Sequence, residues 1–232
     1  MKQRNAVHSE LTIALPKGRL QHQTLELFAV VGYPVSDEAA SGRKLIFEDL
    51  SGALRFILAK PADVPTYVGY GAADLGIVGE DVLREGHRDL YEPLGLGIGR
   101  CRLVLAGPPE ARSRDLRPEI GLRVASKYPR LALEHFEARG ITAEIIPLSG
   151  SIELAPAVGL ADLLVDLVET GRTLRDNGLV ELETIMEVQA ILVVNRASHK
   201  LHFRAIQELI RRLAVEVARR ERPGTLGAEV GG

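Results

Sequence analysis

The chain has 232 residues, of which 46 % are hydrophobic and 26 % charged, an ordinary globular composition that suffices for one large domain or two small lobes. Its formal net charge of −2 argues against bulk attraction to nucleic acid or to an anionic membrane, but leaves room for a local basic pocket. Cys101 is the only cysteine, and the sequence contains neither a signal-peptide pattern nor an apolar run of about 18 residues. We therefore predict a cytoplasmic protein that binds neither nucleic acid nor membrane.

Short apolar segments alternate with helix-length amphipathic segments, which is typical of an α/β fold with mostly parallel strands. Leu11 to Leu15 predicts the first strand, and Arg19 to Val31 predicts a helix after a Pro-Lys-Gly loop. The other elements predicted in the first half are strands at 45–50, 54–59, 74–78 and 102–106, and helices beginning near 61–65 and at 80.

The same alternation continues beyond the sequence Gly107-Pro108-Pro109, where we expect the chain to cross between lobes. The predicted elements are strands at 122–125, 143–147, 163–168 and 188–195, and helices at 130–139, from about 151, from 173 and at 199–220. The last strand returns the chain to the first lobe. We therefore predict lobe I at residues 1–105 plus about 188–222, lobe II at 106–187, and a tail at 223–232.

A short internal sequence repeat supports two related lobes. Gly71-Ala72-Ala73-Asp74-Leu75 and Gly159-Leu160-Ala161-Asp162-Leu163 each close a predicted helix and open a buried strand. In paired α/β lobes, ligands bind beside the carboxyl ends of the strands, so a cleft between the lobes is the expected site.

The residues best suited to bind a ligand follow the predicted strand at 163–168 and have the sequence Glu169-Thr170-Gly171-Arg172-Thr173. A turn of this kind directs backbone N–H groups and two hydroxyls at one point, and a following helix N-terminus adds positive potential. A phosphate monoester fits there, and the upstream Asp166 could accept hydrogen bonds from the vicinal hydroxyls of a ribose. Alternatively, Thr170 or Thr173 caps a helix and the acid lies on the surface.

A second loop of small residues, Ser149-Gly150-Ser151, comes directly after the preceding strand, and Glu153 falls in the predicted first turn of the next helix. This loop would face the same cleft. The alternative interpretation is that Ser151 and Glu153 cap that helix.

These residues together resemble the signature of the ATP phosphoribosyltransferase family. Glu153, then Gly159-Leu160-Ala161, then the run from Leu164 to Leu174 carry the resemblance, with Leu164 standing where the family usually has Ile or Val. The resemblance extends over nearly the whole chain, through segments 15–20, 61–68 and 73–83. Lys60 stands where the family has Arg; lysine keeps the positive charge but cannot form the two parallel hydrogen bonds of a guanidinium.

The resemblance implies a two-lobed fold like that of type II periplasmic binding proteins. It also implies transfer of the phosphoribosyl group of phosphoribosyl pyrophosphate to N1 of ATP, with release of pyrophosphate, at the start of histidine biosynthesis. The catalytic residues it implies are Lys17, Arg19, Glu153 and Asp166. The substrate-binding residues are Lys60, Asp74, Lys127, Ser149, Gly150, Ser151, Glu169, Thr170, Gly171, Arg172 and Thr173; Arg43 and Arg55 are weaker candidates.

The family also implies Mg²⁺, held mainly by substrate oxygens. Because the chain ends about one helix after Asn195, we expect a short-form member that depends on a regulatory subunit resembling histidyl-tRNA synthetase, in a hetero-oligomer. The competing interpretation is a small-anion or solute-binding module of the same fold, which has no need of the loop at 166–173.

Overall fold

The computed structural model describes residues 11–86 and 89–222, which form two compact units, each with its own β-sheet. Among the described residues, the first unit contains 11–83, 89–99 and 189–222, and the second contains 84–86 and 100–188. The predicted tail at 223–232 lies outside the described residues. No helix within the described ranges is long and apolar enough to cross a membrane.

The elements alternate along the chain as an α/β sequence should. The strands are β1 (Leu11–Pro16), β2 (Ile46–Glu48), β3 (Leu54–Ala59), β4 (Leu75–Gly79), β5 (Tyr91–Gly95), β6 (Cys101–Gly107), β7 (Leu122–Ser126), β8 (Ala143–Pro147), β9 (Leu163–Val168), β10 (Val180–Val188) and β11 (Ala190–Val194). The helices are α1 (Arg19–Val30), α2 (Asp37–Ser41), α3 (Val64–Gly69), α4 (Glu80–Gly86), α5 (Pro129–Glu137), α6 (Leu154–Ala157), α7 (Arg172–Asp176), α8 (Arg196–Leu201) and α9 (Phe203–Glu221). Short 3₁₀ turns occupy Pro61–Asp63 and Pro109–Ser113.

The sheet of the first unit has the strand order β2-β3-β1-β4-β11-β5, with β1 parallel to both β3 and β4. Alternate residues of β1 enter different cores: Ile13 and Leu15 pack with Phe28 of α1, whereas Ala14 packs with Val64 on the other face. Both faces are buried, as is usual for parallel strands. Side chains at the carboxyl ends of the strands are therefore the ones free to meet a ligand.

The sheet of the second unit has the order β10-β6-β9-β7-β8, with β7 parallel to β8 and β9. Leu163 and Val165 of β9 join one core cluster and Leu164 joins the other, so this sheet too is covered on both faces. The parallel strands β7 and β8 end at the same level, because Ser126 lies opposite Pro147, and β9 continues beyond them from Val165 to Val168.

The first crossing between units lies earlier than the sequence predicts. β6 pairs antiparallel with both β9 and β10, so it belongs to the second sheet. Residues 100–105 therefore leave lobe I, and the boundary falls between Gly99 and Arg100 instead of at Gly107. The sequence prediction also omitted β10, although its alternation of apolar and polar residues is typical of a strand.

His135 is a buried titratable side chain of the second unit. Its side chain is buried in α5, packs edge-on against Phe136 at 5.3 Å between ring centroids, and has Nε2 3.5 Å from Glu183 Oε2. Burial and then the charge of Arg139 lower the pKa of His135 below its ordinary 6.5, although Glu183 acts in the opposite direction.

We expect the contribution of neutral His135 to be complete above pH 6.5 and to decline as the pH falls below that value toward the lower pKa of the folded state. Below pH 6.5 the unfolded chain binds a proton that the folded chain resists, which favours unfolding. Thermal melts at pH 7.5 and 5.5 should show a larger loss for the wild type than for His135→Leu. Equal losses in both proteins would contradict this assignment.

Candidate active site

A cavity of about 290 Å³ lies in the second unit, at the carboxyl end of β9. Its walls come from the end of that strand, from the loop that follows it, and from the turn before α6. The lining residues are Glu153, Leu164, Asp166, Leu167, Val168, Glu169, Thr170, Gly171, Arg172, Thr173 and Leu174. Seven of the residues predicted from the sequence thus surround one space.

Two of the predicted acids, Asp166 and Glu153, reach this cavity from different elements. Asp166 is half-buried within β9, and its Oδ1 accepts a hydrogen bond from the N–H of Leu167 at 2.8 Å. Glu153 is half-buried and precedes α6, which begins at Leu154, so its predicted place in the first helical turn is wrong. Its side chain makes no capping hydrogen bond, which leaves the helix-cap alternative without support. The cavity therefore brings together two carboxylates suited to a ribose diol.

The loop from Glu169 to Thr173 presents mainly exposed side chains around a buried glycine. Gly171 adopts a left-handed backbone conformation with φ 71° and ψ 8° and is the residue before α7. Thr170 Oγ1 accepts from the N–H of Arg172 at 3.4 Å, a distance at the limit of a hydrogen bond. Because α7 has only five residues, the positive potential at its N-terminus is small. The threonine hydroxyls and the backbone N–H groups of the loop must therefore provide most of the binding of a phosphate group.

The small-residue loop before α6 lies at the same edge of the sheet but does not line the cavity. Ser149, Gly150 and Ser151 are exposed and follow β8. Ser151 has φ 51°, the one left-handed non-glycine conformation in the described part of the chain. Strain of this kind persists only where the surroundings impose it and is often found at ligand-binding loops. Lys127 follows β7 at this edge too, exposed, with its Nζ 5.9 Å from the centroid of the Tyr128 ring.

The basic candidates of the first unit are brought together by strand register. Pro16 lies opposite Ala59, so Lys17 and Lys60 leave the carboxyl edge of β1 and β3 at the same level. Both side chains are exposed, and Arg19 opens α1 two residues later. A chain of cations along one edge suits a polyphosphate.

Two further cations lie at this edge of the first sheet. β2 runs antiparallel to β3, and the N–H of Leu58 donates to the carbonyl of Leu45 at 2.8 Å, which places Arg43 and Lys44 beside the end of β3. From the sequence, Arg43 was only a weak candidate, because isolated basic residues are common at protein surfaces. The antiparallel pairing of β2 with β3 was the signal that could have identified it as a stronger candidate. Arg55 lies opposite Thr12, toward the amino ends of the strands, and does not join the group.

Asp74 does not belong to the candidate site, and its prediction as a substrate-binding residue is corrected. It precedes β4 at the amino edge of the sheet, opposite to Lys17, and its Oδ2 accepts from the N–H of Thr12 at 2.9 Å while its own N–H donates to the Thr12 carbonyl at 2.8 Å. Asp162 makes the same pair of bonds to Arg123 in the second unit, at 2.9 and 2.8 Å. The internal sequence repeat thus reflects a motif shared by both units, in which an Asp before one strand binds the backbone of the neighbouring strand.

We expect Asp74→Ala to destabilise the fold without weakening the binding of ATP, the substrate that the family resemblance implies. The substitution leaves the half-buried Thr12 N–H without its acceptor, which costs about 1–3 kcal/mol of the free energy of unfolding. Urea unfolding should show this loss, and the KM for ATP should stay within about twofold of wild type. A selective rise in the KM for ATP in a stably folded variant would restore Asp74 to the site.

Other side chains that the sequence did not single out support the cavity from outside. Ser126 is fully buried; its Oγ donates to the Val165 carbonyl and accepts from the Tyr128 N–H, both at 2.8 Å, and so ties β7 to β9 one residue before Asp166. Arg175 donates from Nη1 to the carbonyl of Thr170 at 3.1 Å. The contact between Ser126 and Val165 is long-range in the sequence, and the other two depend on the local turn geometry, so no motif signalled them.

The fold is shared with two-lobed binding proteins. The chain superposes on the periplasmic aliphatic sulphonate binding protein SsuA from Escherichia coli with a TM-score of 0.58 at 13 % identity, covering 90 % of this chain and 72 % of that one. It superposes on Tv2483, solved with bound L-arginine, with a TM-score of 0.57 at 15 % identity, covering 92 % and 87 %. Likeness at this level of identity defines a two-lobed α/β fold of the type II periplasmic-binding-protein class, as the sequence predicted.

Sequence similarity defines the family. The family model HisG, ATP phosphoribosyltransferase, matches residues 60–215. The ATP phosphoribosyltransferase of Sorangium cellulosum is 51 % identical over 90 % of this chain and 96 % of its own length, and that of Geobacillus kaustophilus is 52 % identical over 89 % and 98 %. The ATP phosphoribosyl transferase (HisG:HisZ) complex from Thermotoga maritima includes a chain with a TM-score of 0.76 and 35 % identity, covering 90 % and 99 %. This chain belongs to the ATP phosphoribosyltransferase family and matches its short form.

Proposed function

We propose that this chain transfers the phosphoribosyl group of phosphoribosyl pyrophosphate to N1 of ATP and releases pyrophosphate, the first step of histidine biosynthesis. The observation that carries the proposal is the single cavity in which Glu153, Asp166 and the loop from Glu169 to Thr173 meet. The identity of about 50 % to proteins named for this activity supports the choice of ATP as the acceptor.

The reaction needs alignment and charge stabilisation more than a reactive side chain. N1 of adenine carries a lone pair, so it attacks the anomeric carbon directly while the bond from that carbon to the pyrophosphate oxygen breaks, with inversion. No covalent intermediate on the protein and no strong general base is needed. The contribution of the protein is to hold the two substrates in line and to stabilise the positive charge on the ribose and the negative charge on the leaving group.

In the second unit, one group of residues binds the 5-phosphate and another contacts the ribose. The hydroxyls of Thr170 and Thr173, the backbone of Gly171 and the guanidinium of Arg172 bind the 5-phosphate. Asp166 and Glu153 accept hydrogen bonds from the ribose hydroxyls and oppose the positive charge that develops at the anomeric carbon. In the first unit, Lys17, Arg19 and Lys60 bind the polyphosphates.

The donor set suits Mg²⁺ that is carried largely by the substrates. Among the described residues, no group of three or more His, Cys, Asp or Glu side chains could hold a metal ion. Two carboxylates on one cavity, Glu153 and Asp166, match the one or two protein ligands that Mg²⁺ usually takes alongside phosphate oxygens. Bound there, Mg²⁺ would neutralise charge on the pyrophosphate. Pyrophosphate release should therefore stop when excess chelator is added and resume with added Mg²⁺.

We further propose that the chain works in the cytoplasm with a regulatory subunit that resembles histidyl-tRNA synthetase, and that histidine feedback acts through that subunit. The structural relative from Thermotoga maritima, solved as a HisG:HisZ complex, supports a hetero-oligomer. The binding-module alternative is not favoured, because its support is limited to likeness of fold at 13–15 % identity.

The test is pyrophosphate release from ATP, phosphoribosyl pyrophosphate and Mg²⁺, with Thr170→Ala and the exposed Thr142→Ala compared in parallel. We expect release to require both substrates, to fall by about tenfold or more in Thr170→Ala through a lost charge-assisted hydrogen bond, and to be unchanged in the control. No release, even with the synthetase-like subunit from the same source, would reject the catalytic proposal.

A further inference from the structure

Arg175 fixes the direction of the peptide at the centre of the phosphate loop. Its Nη1 donates to the carbonyl of Thr170 at 3.1 Å. In a planar trans peptide the carbonyl and the next N–H point in opposite directions, so the N–H of Gly171 is directed away from Arg175. Thr170 and Gly171 line the cavity, whereas Arg175 does not.

The side chains of Glu181 and Arg175 lie on the same side of Gly171. A β-carbon at position 171 would lie 2.9 Å from Glu181 Oε1 and 3.1 Å from Arg175 Nη1, so these two side chains fill the space that a larger residue would need. Glu181 is paired with Arg102, whose Nη2 lies 3.1 Å from each carboxylate oxygen. This pairing offsets a negative charge that would otherwise oppose an anion in the loop.

We propose that Arg175, supported by the Glu181–Arg102 pair, is a positioning residue for the phosphate loop, and that it holds the Gly171 N–H ready for the 5-phosphate of the ribosyl donor. The proposal rests on the proposed function, since it assigns the phosphomonoester to this loop. Arg175 acts through the Thr170 carbonyl and does not itself need to touch the substrate. Its removal should therefore affect the ribose phosphate and leave ATP unaffected.

The test compares Arg175→Gln and Arg175→Lys with wild type and with Arg117→Gln, a control at a surface side chain that is 77 % exposed in the same unit. Two quantities are measured: the Kd of ribose 5-phosphate by calorimetry, and the KM for each substrate from pyrophosphate release. In Arg175→Gln we expect the Kd of ribose 5-phosphate and the KM for phosphoribosyl pyrophosphate to rise about tenfold, with the KM for ATP within twofold. Lysine keeps the charge but loses the planar fork, so Arg175→Lys should fall between wild type and Arg175→Gln.

The other outcomes each have a distinct meaning. Wild-type behaviour of Arg175→Lys would overturn positioning in favour of charge alone, and equal changes in both KM values, or an unchanged Kd, would overturn it as well. If Arg175→Gln does not fold, Arg175→Lys alone carries the test. Absence of pyrophosphate release in the wild type, even with the synthetase-like subunit, would reject the proposed function, while the calorimetric Kd would still decide the role of Arg175. Failure of the wild type to bind ribose 5-phosphate would overturn the positioning proposal.

Discussion

Replacing Asp166 with Asn should lower kcat by about 10²–10³-fold, the range typical of losing one group that stabilises transition-state charge. The substitution keeps the shape of the side chain and retains an oxygen that can accept from the Leu167 N–H, so the loop should keep its conformation. It removes the negative charge that opposes the developing positive charge on the ribose. Steady-state kinetics of pyrophosphate release measure the effect.

The matched control is Asp115→Asn, which removes a charge from an exposed loop of the same unit. We expect this control to retain wild-type kcat and both proteins to melt within a few degrees of wild type. A kcat for Asp166→Asn within about threefold of wild type would remove the carboxylate from the catalytic machinery.

Replacing Gly171 with Ala should raise the KM for phosphoribosyl pyrophosphate by about 10–100-fold. Two costs combine: a side chain in the left-handed region costs about 1–2 kcal/mol, and the new β-carbon would lie 2.9 Å from Glu181 Oε1. The side chains of Glu181 and Arg175 must move to relieve the contact, and movement of Arg175 releases the Thr170 carbonyl and with it the N–H groups of the loop. Initial rates at varied concentration of each substrate measure the change.

Gly178→Ala is a closely matched control for this effect. Gly178 has φ 70°, nearly the same as the 71° of Gly171, but a β-carbon there has no neighbour within 4 Å. Both variants should therefore lose similar backbone stability, and only Gly171→Ala should lose affinity for the ribosyl donor. Equal KM values in the two variants would show that backbone strain, and not displacement of the loop, accounts for any loss.

The placement of Asp166, Thr170 and Lys17 beside strand ends could be predicted from the sequence. An apolar run of five or six residues followed by polar and glycine residues specifies a buried strand and its end, and in parallel sheets those ends share one edge. The residues from Leu163 to Val168 are both the predicted and the observed strand. The chemistry of the following loop could then be inferred from residue types alone.

Features that depend on pairing partners could not be predicted in the same way. Asp74 carries the same kind of side chain as Asp166, and only its position before β4 shows that its carboxylate joins two strands. The contact between Arg175 and the Thr170 carbonyl depends on the handedness of Gly171, which the sequence permits but does not require. Both short helices, α6 and α7, were predicted, but α6 begins at Leu154 and not near 151, because one helical turn leaves no periodic pattern that would fix its bounds.

The most direct test of the central claim is the identity of the product formed from ATP and phosphoribosyl pyrophosphate with Mg²⁺. The account predicts one molecule of adduct for each pyrophosphate released, with intact triphosphate and the ribosyl carbon bonded to N1 of adenine, which mass spectrometry and NMR can establish. Pyrophosphate release without an adduct, or an adduct at another atom, would contradict it.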